Sequence, residues 1–141
     1  MNEETARTHL ISVVMPVFDG EKFLQLSLPA LIKMLERGEI IEVFVVDDGS
    51  HDRSARIAAD LGARIIRTEG RKGVAAARNL GVEYATGDII WFVDADVVVH
   101  EDAARIISNN FSNPEVTAVF GSYDDSPPVS YTHLTLPTIC F

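Results

Sequence analysis

Two aspartates one residue apart, Asp94-Ala95-Asp96, close the apolar run Asp88–Val93 (DIIWFV). At the end of a strand, two carboxylates with that spacing can reach one small volume. That suits Mg2+ or Mn2+, hard cations that take oxygen ligands and commonly share them with substrate phosphates. A second acidic pair, Asp47-Asp48-Gly49-Ser50, follows another apolar run. One of its carboxylates could accept from a base N–H, while Gly49 allows a turn and Ser50 or Asp52 caps the next helix. The third group is Gly73–Gly81 (GVAAARNLG). Its small residues permit close packing, its amino end offers free amides to an anion, and Arg78 could reach a diphosphate or a base carbonyl.

Each group also has a plain structural reading: a solvated acidic turn, a cap and turn, an alanine-rich packing helix with a surface arginine. Arg71-Lys72 reads equally as a solvated basic loop. His51 and His100 are single residues without a metal-ligand partner at useful spacing, and Trp91 reads as core. Neither a Walker loop nor a GxGxxG fingerprint is present.

The elements that must position these groups alternate between apolar runs and amphipathic stretches. Strands are expected at Leu10–Val17, Ile41–Val46, Ala63–Arg67, Asp88–Val93 and Val116–Tyr123. Helices are expected at Glu21–Arg37, from about Asp52 to Leu61, at Val74–Tyr84 and from about Glu101 to Phe111. Leu24, Leu28, Leu31 and Leu35 share one face of the first helix, and Pro29 within it implies a kink or a late start. Strands apolar on both faces and joined by helices imply a mainly parallel sheet in an α/β fold. In such a sheet ligands lie beyond the carboxyl ends of the strands, where both acidic pairs fall.

A chain of 141 residues reads as one domain. Its net charge of −9 argues against a nucleic-acid polymer as partner, because phosphate backbones require clustered cations. A nucleotide ligand stays open, since a divalent cation reverses the local sign. The single cysteine, Cys140, excludes an internal disulfide, and no apolar run approaches a membrane span. Together with an acidic amino end unlike a signal peptide, this points to a cytoplasmic chain, or to the cytoplasmic face of the membrane in a longer protein.

The three groups in this order resemble family 2 glycosyltransferases. The resemblance is carried by SVVMPVFDGEKFL from Ser12, EVFVVDDGSHDRS from Glu42, KGVAAARNLG from Lys72 and ATGDIIWFVDAD from Ala85. It implies the GT-A fold, a Rossmann-like three-layer α/β/α arrangement, here ending after about the fifth strand. It also implies a nucleotide-diphospho-sugar donor, first a UDP-sugar, and Mn2+ or Mg2+ as cofactor. By that resemblance Pro16, Phe18, Glu21, Asp47, Asp48, Gly73, Arg78, Asp94 and Ala95 line the nucleotide-sugar site. Phe18 would stack on uracil, Glu21 would sit near the nucleoside, and Asp48 or Asp47 would read the base edge. Arg78 would support the base or diphosphate, Asp94 would meet the ribose or the metal, and Asp96 would bind the metal. Val97 stands where the family often has a further acidic residue, and Phe18-Asp19 where Tyr-Asn is common. The implied reaction is inverting displacement at the anomeric carbon. The general base and the acceptor (a saccharide, lipid or protein) are expected beyond this segment, so that the 141 residues bind donor without transferring sugar.

Within this reading residues 1–9 form an extension and 10–128 the donor-binding half. Residues 129–141 (VSYTHLTLPTICF) are uncharged and aperiodic, and they resemble a translated sequencing-library adapter rather than native chain. Two rival readings remain: a haloacid-dehalogenase-type phosphatase, whose DxDxV pattern Asp94–Val98 also fits, and a nucleotide-binding segment without catalysis.

Overall fold

The computed structural model describes residues 8–122 and the backbone of 134–135. Strand β1 (Ile11–Val17) has all seven residues buried, as a central strand covered on both faces must. It pairs in parallel with β2 (Glu42–Asp47) on one side and β4 (Ile89–Phe92) on the other. Beyond β2 lies β3 (Arg64–Arg67), also parallel, so the order is β3-β2-β1-β4.

Successive β1 residues face opposite layers. Val13, Met15 and Val17 pack with α1 (Glu21–Glu36), α2 (Ser54–Asp60) and α4 (Ala103–Phe111). Val14 packs with Phe44, Val46, Ile66 and Ala77 of α3 (Val74–Tyr84), on the other face. The result is the expected three-layer α/β/α arrangement. Helix α1 buries Leu24, Ser27, Leu28, Leu31 and Met34, one stripe at helical spacing. It begins at Glu21, so Pro29 does not delay its start. The carbonyl that Pro29 leaves without an amide belongs to Gln25, which faces solvent.

Gly81 lets helix α3 approach the sheet closely. A β-carbon there would run into Val14 Cγ1 and stand 3.1 Å from Val46 Cγ2. Gly81→Ala is therefore expected to destabilise the fold by about 1–3 kcal/mol, despite alanine's better helix propensity. Chemical denaturation would read this as a lower midpoint, and an unchanged midpoint would mean that α3 can lift away freely.

At the end of the sheet away from the acidic pairs, Glu42 binds several elements together. Its Oε1 accepts from Ser12 Oγ at 2.7 Å and from the Thr86 amide at 2.7 Å, and its Oε2 accepts from Arg64 at 3.1 Å. Burial raises the Glu42 pKa, but these donors outweigh it and hold the carboxyl below its ordinary value.

One expectation needs correction. No strand spans the described part of Val116–Tyr123: Val119 makes an isolated bridge and Phe120 is 68% exposed. Apolar residues alone do not make a strand without a ladder partner, although Val116 and Val119 still lean on the core. The fifth strand is instead β5 (Val98–Val99), a short segment that pairs in parallel with β6 (Leu134–Thr135). The remaining residues of the 1–9 extension and the 129–141 tail lie outside the described residues, apart from 8, 9 and the backbone of 134–135.

Candidate functional site

The chain runs outward from β1 through β2 to β3, then crosses by α3 on the opposite face to β4, on the other side of β1. Strand order therefore reverses between β1 and β4, and a crevice must open beyond their carboxyl ends. The β4 ladder stops at the Val14–Phe92 pair, and Val93 N donates to Val14 O. Pro16, two residues further, faces the same side past the end of that ladder. Its missing N–H thus costs no β4 bond.

Phe18, Asp19 and Gly20 turn β1 into α1. Asp19 is left-handed, with φ of 47°, a conformation aspartate tolerates better than most residues. A β-carbon on Gly20 would stand 2.7 Å from Val17 Cγ2 and 3.8 Å from Ala95 Cβ. Ala95 is thereby seated against the β1–α1 turn, with Asp94 and Asp96 exposed on either side of it. Ser50 Oγ accepts from Asp19 N at 3.0 Å, Asp19 Oδ1 from His51 N at 2.6 Å, and Ser54 Oγ from Gly20 N at 2.9 Å. Glu21 completes this stitching: its Oε2 accepts from Arg53 N at 2.9 Å, and its own amide donates to Asp52. Glu21, expected near a nucleoside, here ties α1 to the amino end of α2.

The second acidic pair is buried. Asp47 Oδ1 accepts from Ser50 N at 3.0 Å, fixing the turn through Gly49. Asp52 Oδ1 accepts from Ser54 N, but Arg53 holds the cap position of α2, so neither Ser50 nor Asp52 is the cap expected from the sequence. Asp48, 3% exposed, accepts from Lys72 N at 2.7 Å, Gly73 N at 2.8 Å and Thr68 Oγ1 at 2.9 Å. Burial raises its pKa, but the two amides, the Thr68 hydroxyl and the Arg71 cation hold it below the ordinary value. Asp48 is thus a charged latch on the 70–73 loop. Thr68, which completes the latch, drew no attention in the sequence. Its signal was its position directly after β3, level with Asp47, whose carbonyl accepts its amide.

Across the crevice, Arg78 on α3 donates to Asp94 Oδ1 at 2.7 Å. Its Nε is buried without a partner among the described residues. Asp96 makes no hydrogen bond or ion pair there. Those residues form no cluster of three or more metal-binding side chains. One free carboxylate beside one half-committed carboxylate fits a cation that takes its other oxygens from phosphates and water. It does not fit an all-protein cage. Trp91 is fully buried core, and His51 and His100 are exposed. No helix among the described residues is long and apolar enough to cross a membrane.

The model of the family described as glycosyl transferase family 2 matches residues 12–134. The chain belongs to that family. Among curated relatives of this family 2 chain, the glycosyltransferase GlyG of Streptococcus pneumoniae is 30% identical, over 94% of this chain and 46% of its own. Glucosyl-3-phosphoglycerate synthase of Mycobacterium tuberculosis, solved with Mn2+, UDP-glucose and phosphoglyceric acid, aligns with a TM-score of 0.69 at 26% identity. That alignment covers 83% of this chain and 45% of the synthase. TarS of S. aureus, solved with UDP-GlcNAc, aligns with a TM-score of 0.73 at 23% identity, over 87% of this chain and 37% of TarS. The chain spans less than half the length of each of these proteins. Family membership leaves the phosphatase reading without support.

Proposed function

We propose that this chain binds the nucleoside diphosphate portion of a nucleotide-sugar donor, first a UDP-sugar, for a glycosyl transfer completed by a longer protein. The reading is supported by what borders the β1/β4 reversal: the β1–α1 turn that carries Phe18 lies against Ala95, Asp94 next to it holds Arg78, and Asp96 is uncommitted among the described residues. Phe18 supplies a stacking face for the base. Arg78, oriented by Asp94, would offer the terminal N–H groups of its guanidinium to the diphosphate oxygens. Asp96, with Asp94 beside it, would hold Mn2+ or Mg2+, which when bound would offset the charge on the departing diphosphate. The amino end of α3 at Gly73 adds a weak preference for anions.

The neighbours' contents agree with this chemistry, since one was solved with UDP-glucose and Mn2+ and another with UDP-GlcNAc. No residue of the chain is assigned as general base, and the acceptor is a saccharide, lipid or protein unspecified by this site. The chain alone is expected to bind donor without turning it over.

Calorimetric titration with UDP tests the reading. Binding should be measurable with Mn2+ and weaken at least tenfold in chelator, in line with loss of a cation that Asp96 and Asp94 would hold. Absence of UDP binding in both conditions would sink the proposal. So would an aspartyl-phosphate forming on Asp94 with a phosphoester.

A further inference from the structure

Phe18 is not bare. The Arg71 guanidinium carbon lies 3.8 Å from the Phe18 ring centroid, and the His51 ring meets Phe18 edge-on at 6.0 Å. Arg71 is an exposed residue, yet its backbone is held on both sides. Asp48 takes the amides of Lys72 and Gly73 immediately after it, and Gly70 and Gly73 are left-handed, with φ of 72° and 97°. Gly49 presses on the same loop, for a β-carbon there would stand 3.0 Å from Arg71 N. The tether is thus fixed while the long side chain above it can rise.

We propose that Arg71 and Phe18 form a two-plate clip, with the nucleobase sliding between the guanidinium and the ring. This rests on the nucleotide-donor reading above and adds to it a residue that fixes the base from the side opposite Phe18. A planar guanidinium stacks on any π-face, so Arg71 exchanges the ring of Phe18 for the ring of the base. The exchange is favourable because the base, covered on both faces, is shielded from water, whereas the Arg71–Phe18 contact is solvent-exposed. Arg71 thereby acts as a positioning residue on the base and makes no demand on the phosphates.

The test compares the full chain with Arg71→Ala and Arg71→Lys, titrated with UDP and, by NMR shift, with uridine. Both variants should bind each ligand more weakly, on the order of three- to tenfold, because lysine keeps the charge but not the plate. Rescue by lysine, or a loss confined to UDP, would make Arg71 a phosphate contact and overturn the clip. Tighter or unchanged binding in Arg71→Ala would also overturn it, in the first case by making Arg71 a plug. If the unaltered chain binds neither ligand, the donor reading falls and takes the clip with it. If it binds both but Phe18→Ala changes nothing, the aromatic plate is wrong while the nucleotide site stands.

Discussion

Asp96→Asn is expected to remove the metal-dependent part of UDP binding, a loss of about 10- to 100-fold when Mn2+ is present. Altering even the partners that orient metal ligands typically costs that much, so losing a charged ligand should not cost less. The substitution preserves shape and one oxygen but removes the charge. Asp96 is the cleaner probe of the pair because it is exposed and has no hydrogen-bonding or ionic partner among the described residues. Asp94 is bonded to Arg78 at 2.7 Å, so its replacement would disturb the arginine as well as any metal. The measurement is a UDP titration of both proteins with Mn2+ and again in chelator, with thermal unfolding alongside. The two titrations should diverge with metal and coincide in chelator, at equal unfolding temperatures. If Asp96→Asn keeps its response to Mn2+, the acidic pair is a solvated turn and the metal must be held elsewhere.

The order and type of the first seven elements, and of α4, could be read from apolar periodicity, with boundaries at most two residues off, whereas the two-residue β5 could not. β1 and β2 are runs apolar on both faces, and α3 falls at the expected residues. The strand at Val116–Tyr123 failed for the opposite reason: its apolar pattern is real, but a strand requires a backbone partner that no local pattern reports. The position of the acidic pairs at the strand ends was likewise legible, because parallel strands bring all their carboxyl ends to one edge. The arrangement around the crevice was not. The reversal between β1 and β4 depends on α3 crossing the other face, a tertiary choice. So does the pairing of Asp48 with amides 24 and 25 residues away. Glu21 and Arg71 show the same limit at single side chains: one turned to Arg53, the other to Phe18. Asp19 offered a clue in its type, since a short polar residue directly after a strand suits a left-handed turn.

Asp48→Ala is expected to lower stability at neutral pH by about 2–3 kcal/mol and to release the 70–73 loop. The Lys72 and Gly73 amides lose a charged acceptor, and hydrogen bonds to charged groups contribute about 1.5–3 kcal/mol each. Water reaching the exposed side of the loop, and the Gly70 carbonyl that Thr68 Oγ1 already meets at 2.6 Å, offset part of that. Because the folded-state pKa of Asp48 is depressed below its ordinary 3.8, its contribution is fully present above the unfolded value. It should disappear as pH falls below about 3.8 and through the lower folded value. The stability gap between the unaltered chain and Asp48→Ala should therefore be constant near neutrality and narrow in acid. Glu42 and Asp52, also depressed, weaken both proteins alike over the same acidic range. Urea unfolding at a series of pH values reads the gap directly. A gap that persists undiminished in strong acid would mean that Asp48 holds the loop by shape and not by charge. The same variant separates latch from fold at the site, for freeing Lys72 and Gly73 detaches Arg71 from its fixed tether. It should therefore weaken uridine binding even under conditions where the sheet remains fully folded.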